Sequence, residues 1–170
     1  MRLPRWLSGA VVTALVTGCA GYRLGPVNGQ SAGARSVQIN PIANRTVEPH
    51  LGEAITAALR KQVQRDATFR LATHGDGDIV VTGTVTNYHR KELSFVANDV
   101  LTVKDYRITL TAQITARERT SGRVLLDQPV TGQTLLRVGD DLASAERQAL
   151  PLLAEDLARS VVALLAEGRW

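Results

Sequence analysis

The chain has one cysteine, one methionine, two tryptophans, three tyrosines and two phenylalanines in 170 residues. A single thiol has no internal partner, so a disulfide framework is excluded and Cys19 is unpaired, reactive, a ligand or modified. No apolar run approaches the ~20 residues that a membrane-spanning helix needs. The longest, Trp6 to Val16, is half that. Neither charge sign dominates. Lysine plus arginine number 20 against 16 acids, a formal +4. With few aromatics and no concentrated basic stretch, nucleic-acid binding is not expected. At 44% hydrophobic and 21% charged residues, the composition is that of a globular domain with a real core. No internal repeat is present.

What is there begins at the N-terminus. Arg2 and Arg5 precede the short apolar run, which closes on Thr17 and Gly18. That order is the shape of a secretory signal over residues 1–18. Removing it takes the basic count from 20 to 18 against 16 acids, so +4 becomes +2. Val16-Thr17-Gly18-Cys19 resembles the bacterial lipobox, in which a diacylglycerol is attached to the thiol and the cysteine becomes the first mature residue. The alternative is a soluble periplasmic protein with ordinary cleavage nearby. Two or more acyl chains, at about 0.8 kcal/mol per buried CH2, anchor stably where one is marginal. The residue after Cys19 is Ala20 rather than Asp, which implies the outer membrane, periplasmic side.

Residues 19–34, rich in Gly, Ser, Asn and Gln, read as a tether; residues 35–170 form the folded domain. Arg35 to Ile42 alternates as a short strand ending near Pro41. From Pro49 to Asp66, Leu51, Ile55, Leu59 and Val63 recur once per helical turn, with Glu53, Arg60, Lys61 and Arg65 opposite. Asp76-Gly77-Asp78 is a turn before IVVTGTVTNY, where Ile79, Val81, Gly83 and Val85 share one face and Thr82, Thr84, Thr86 and Tyr88 the other. A loop of about a dozen residues leads to Tyr106–Arg117. Its strict alternation indicates a sheet wet on one side. The turn at Thr120–Arg123 makes a hairpin with Val124–Leu136, in which Pro129 marks an edge or a bulge. Asp140 or Asp141 caps a last helix reaching Glu167, with Pro151 expected to kink or split it and Gly168 to end it. The fold expected is α+β, a two-layer α/β sandwich in the order β-α-β-β-β-α. Its mixed, mostly antiparallel four-stranded sheet carries two helices on one face.

No catalytic, metal-ligating or cofactor-binding constellation is expected. His50, His74 and His89 fall in different elements without ligand spacing, and there is no HExxH, GxSxG or P-loop pattern. Gly75-Asp76-Gly77-Asp78 lacks the later bidentate acid of a calcium loop. No enzyme activity is expected.

The lipobox followed by GYRLGP, Asn44-Arg45-Thr46 before the first helix, DIVVTGTV from Asp78, YRITLTAQITARERTSGRVLL from Tyr106 and the segment from Val130 to Leu165 are together similar to the lipopolysaccharide-assembly lipoproteins, the LptE family. The resemblance implies two partners, the large outer-membrane β-barrel (LptD-type) whose lumen such proteins plug, and lipopolysaccharide itself. Phosphates and carboxylates call for Lys and Arg. The first candidate cluster is His89-Arg90-Lys91, with Leu93 and Phe95 beside it and Lys104 and Arg107 across the expected loop. Arg90, Lys91, Lys104 and Arg107 are therefore the candidate lipopolysaccharide-binding residues, and Arg117, Arg119 and Arg123 form a second cluster. The Thr/Gln/Arg face of the sheet is open either to water or to the barrel wall. Two other functions fit a tethered α/β lipoprotein, activation of a periplasmic peptidoglycan synthase and auxiliary service in phospholipid transport.

Overall fold

The computed structural model describes residues 33–96, 99–138 and 141–168. The signal segment, Cys19 and the tether up to residue 32 lie outside the described residues. The elements are β1 (Ser36–Ile39), β2 (Ala43–Asn44), α1 (Leu51–Asp66), β3 (Arg70–Ala72), β4 (Ile79–Val96), β5 (Asp99–Glu118), β6 (Val124–Arg137) and α2 (Leu142–Glu167). The class is α+β as expected, but the sheet has six strands rather than four. The additional strands are β2 and β3, of two and three residues, too short to show any alternation. Strand order is β3-β1-β4-β5-β6, with β2 also on the β1 side of β4. β1 runs parallel to β3 and β4, whereas β4, β5 and β6 form an antiparallel meander.

One face of the sheet is apolar because the strands alternate. Ile79, Val81 and Val85 of β4, Ile108, Leu110, Ala112, Ile114 and Ala116 of β5, and Val130 and Leu136 of β6 are all buried. Against them lie Leu51, Ile55, Leu59 and Val63 of α1 and Leu153, Leu157, Val161 and Leu165 of α2. Each large side chain so buried stabilises the fold by roughly 1.5–3 kcal/mol. Two glycines let the layers approach. A Cβ on Gly132 would stand 2.8 Å from the Leu157 backbone nitrogen, and one on Gly52 would stand 2.2 Å from the Ile42 carbonyl oxygen. At the latter contact the Thr56 hydroxyl donates to the Gly52 carbonyl (2.6 Å) and accepts from the Ile42 N–H (3.0 Å).

Some local expectations change and others hold. Pro49 stands before α1, which begins at Leu51 behind His50 in a left-handed conformation (φ 62°). α2 is not split at Pro151 and runs as one helix; Asp141 caps it by accepting from the Ser144 N–H (2.9 Å), and Gly168 follows its last turn. Pro129 lies on β6, which is the edge strand its missing N–H requires. The long loop expected after Tyr88 is replaced by strand. β4 continues to Val96 and β5 begins at Asp99. Register shifts between Val85 and Asn87, between Glu92 and Ser94, and again on either side of Phe95 interrupt the pattern of faces. A strand broken in phase in this way no longer shows a period of two in its sequence.

The chain enters the domain where β1 and β4 begin and β5 ends, since Val37 pairs with Ile79 and Ile79 with Glu118. The far end of the β4–β5 hairpin lies up to about 55 Å away at the rise of an extended strand. β6 stops opposite Asp105, so the last part of that hairpin is a two-stranded finger.

Candidate functional site

The finger and the strand ends beneath it collect the residues singled out above. After the bulge, Asn87, His89 and Lys91 pair with Thr111, Thr109 and Arg107, all on the sheet face away from the helices. β6 continues these rows, giving His89–Thr109–Gln133 and Lys91–Arg107–Leu135. Two cations stand directly opposite each other, and among the described residues no ion pair neutralises either. Like charges facing across a strand pair repel. Leu135, next in the same row, is 66% exposed, and Leu93 and Phe95 nearer the tip are 41% and 44% exposed. A hollow of 450 Å³ is lined by Arg107, Gln133, Thr134 and Leu135.

The next row explains why no acid reaches the pair. Asp105 lies between Ser94 and Arg137, accepting from the Ser94 hydroxyl (2.5 Å) and the Arg137 guanidinium (2.9 Å). The Ser94 hydrogen bond, followed by that from Arg137, holds the Asp105 carboxyl below its ordinary range. Its charge is thereby committed to Arg137.

Arg90 is brought to the other face. It donates to the Glu146 carboxylate of α2 at 2.6 Å, and the Tyr88 hydroxyl lies 3.4 Å from the same oxygen. Burial, then the nearby Glu146 charge, pushes the Tyr88 phenol far above its ordinary value. Tyr88 thus belongs to the helix side, not to the threonine face where uninterrupted alternation puts it. Lys104 is exposed, and its carbonyl accepts from the Val138 N–H at 2.9 Å. Of the four predicted residues, then, Lys91 and Arg107 meet in one row, Lys104 lies on the finger, and Arg90 ties β4 below the finger to α2.

Two members of the second cluster, Arg119 and Arg123, are engaged at the opposite end of the sheet. Arg119 donates to the Gly77 carbonyl at 2.7 Å and to the Gln38 side chain. Glu118 accepts from Arg35 at 2.7 Å and lies 3.8 Å from Arg123. Asp78 of the glycine-rich turn accepts from both the N–H and the hydroxyl of Ser36, at 2.8 and 2.7 Å, which fastens β1 to the start of β4. The rest of the outer face is a polar lattice. Gln113 and Thr115 both donate to Asp127, at 2.7 and 3.1 Å.

Leu135, Asp105, Arg137 and Glu146 were missed in the sequence. Leu135 was within reach, because in a strand one of the two adjacent leucines 135 and 136 must face outward. The other three depend on contacts 32 or 56 residues apart, which no local pattern announces.

A family model described as LptE, lipopolysaccharide-assembly, matches residues 34–165. No curated protein is significantly similar to this chain in sequence. Among solved structures, protein XCC0632 from Xanthomonas campestris superposes with a TM-score of 0.59 at 10% identity, over 85% of this chain and 91% of that one. The hypothetical protein CT253 from Chlamydia trachomatis gives 0.58 at 11% identity, over 79% and 97%. A minor lipoprotein from Acinetobacter baumannii gives 0.52 at 13%, over 78% and 92%. At such identities these likenesses concern the fold alone.

Proposed function

The chain belongs to the LptE family of lipopolysaccharide-assembly proteins, and on that premise we propose that it is an outer-membrane lipoprotein serving the lipopolysaccharide-exporting barrel. Cys19 carries the lipid, residues 19–34 are the tether, and residues 35–170 are the working domain. The domain plugs the barrel from the periplasmic side and assists both its assembly and the delivery of lipopolysaccharide to the outer leaflet. Its threonine-rich sheet face suits the polar interior of a membrane barrel.

The observation that carries the ligand half of this reading is the row Lys91–Arg107–Leu135. A phosphate above the two cations relieves their repulsion and gains charge-assisted hydrogen bonds. Leu135, Leu93 and Phe95 offer apolar surface to acyl chains of the same molecule. Lys104 adds charge from the finger, and Arg90 fastens β4 below it to α2 through Glu146. An amphiphile with phosphates and acyl chains matches both halves of the row; a neutral lipid or a free phosphate matches one.

The test has two parts. The full chain, expressed with its cognate barrel, should co-purify with it; a peptidoglycan synthase in the barrel's place, or bound phospholipid without lipopolysaccharide, would refute the assignment. Lys91→Ala with Arg107→Ala should weaken lipopolysaccharide binding by about tenfold or more, about 1.4 kcal/mol, with the fold retained. Unchanged binding removes the row from the site.

A further inference from the structure

β4 is an internal strand for only part of its length. On one side it pairs with β5 from Ile79 to Val96. On the other it receives β1 at Ile79–Val81 and β2 at Thr84–Val85, and two further hydrogen bonds, from the Asn40 N–H to the Val81 carbonyl (3.0 Å) and from the Arg45 N–H to the Val85 carbonyl (3.1 Å). From Thr86 to Val96 no strand among the described residues covers that side. The segment contains no proline, and every second backbone N–H and C=O along it faces outward. Such an edge is a template for another strand.

The other long edge is treated differently. β6 is interrupted by Pro129, and its Gln133 N–H is taken by the Asp156 carboxylate of α2 at 3.0 Å. β3 is three residues long. Among the described residues, β4 between its bulges at Val85–Asn87 and Glu92–Ser94 offers extended main chain with no such block.

We propose that the β4 edge over Thr86–Glu92 is completed by an extended strand of the barrel protein, added beyond β2 in the same column. This rests on the barrel partnership proposed above. The side-chain rows state what that strand carries. On the outer face it extends the row Lys91–Arg107, where an acid opposite Lys91 balances a cation that has only another cation on its far side. The Lys91 ammonium has three donors, so it serves this carboxylate and a phosphate above the sheet together. On the helix face the strand meets Tyr88 and Arg90, whose charge Glu146 already balances, so that position favours a neutral residue. Main-chain hydrogen bonds supply the affinity and these alternate positions the selectivity, as in other strand additions.

Hydrogen exchange on the full chain, alone and in the complex co-purified with its barrel, tests this. Amides within Thr86–Glu92 should slow in the complex by about tenfold or more, while those of β6 stay unchanged. A complex that forms without slowing them overturns the strand addition and leaves the partnership standing. Slowing that appears in the chain alone on raising its concentration names a second copy as the occupant and also overturns the proposal. Absence of any complex refutes the partnership, and this inference with it.

Discussion

Replacing Gly132 by alanine tests whether the two layers meet as closely as described. The new methyl would lie 2.7 Å from the Leu157 Cβ, 2.8 Å from the Leu157 nitrogen and 2.9 Å from the Leu153 carbonyl oxygen. Favourable contact between heavy atoms begins near 3.5 Å. Two of the three neighbours are backbone, so no rotamer change relieves them, and α2 itself must lift. That loosens Leu153, Leu157 and Val161, each fully buried. Over-packing of this kind costs about 1–3 kcal/mol. Against it, alanine restricts the unfolded chain and recovers roughly 0.5–1 kcal/mol in a strand interior. The expected net loss is therefore about 0.5–2 kcal/mol. Urea unfolding followed by circular dichroism should show the midpoint falling by about 0.25–1 M at an unchanged slope, for a slope near 2 kcal/mol per M. A midpoint equal to or above that of the parent would mean that helix and strand are farther apart than Gly132 implies.

Three other outcomes follow from particular contacts. Asp78→Asn should destabilise the domain near neutral pH. The carboxyl is held below its ordinary value of 3.8, chiefly by the Ser36 hydroxyl and then the Ser36 N–H; its contribution is complete above that value and is lost as pH falls through the lower folded value. The gap between parent and variant should therefore close in acid, and a gap constant with pH would refute the linkage. Arg90→Ala should lower stability by no more than about 1 kcal/mol, since its side chain is 45% exposed and solvent screens the pair. It should leave lipopolysaccharide binding closer to the parent than Lys91→Ala does; the reverse order in a binding titration would place Arg90 in direct contact with the ligand. Cys19→Ala should leave the folded domain intact and shift it from the membrane to the soluble fraction when the barrel is absent; persistent membrane association would contradict an acyl anchor.

The parts of the fold legible in sequence were those in which one physical signal ran uninterrupted. Tyr106–Arg117 alternates without a break, and its apolar members from Ile108 to Ala116 are buried. Leu51, Ile55, Leu59 and Val63 keep the helical period and are buried as well. β2 and β3 were not legible, because two or three residues contain no period. They exist through register against β4 and β1, in which Ala43 meets Thr84 and Val37 meets Leu71. Of the two effects expected at Pro151, the split does not occur. The surrounding helix is held by Ala149, Leu153 and Ala154, all buried, and tertiary packing outweighs a local propensity penalty of about 3 kcal/mol.

The site was legible as composition but not as geometry, and the bulge after Val85 is the reason. Continued alternation from Val85 would turn Asn87, His89 and Lys91 toward the helices and leave Tyr88 and Arg90 outside. Burying an ammonium without a partner costs far more than accommodating one unpaired residue in a ladder. With the extra residue in place, Tyr88 instead tucks its ring against the core and its hydroxyl near Glu146. Arg90 reaches the same carboxylate, and Lys91 faces outward beside Arg107. The segment Val85 to Lys91 thus contains its own instruction for a phase shift, written as one amphipathic tyrosine flanked by residues that cannot be buried unpaired. That one-residue shift turns three of the four candidate cations into a pair on one face, Lys91 with Arg107, and a clamp on the other, Arg90. The cationic row is consequently a property of the β4 backbone as much as of its side chains.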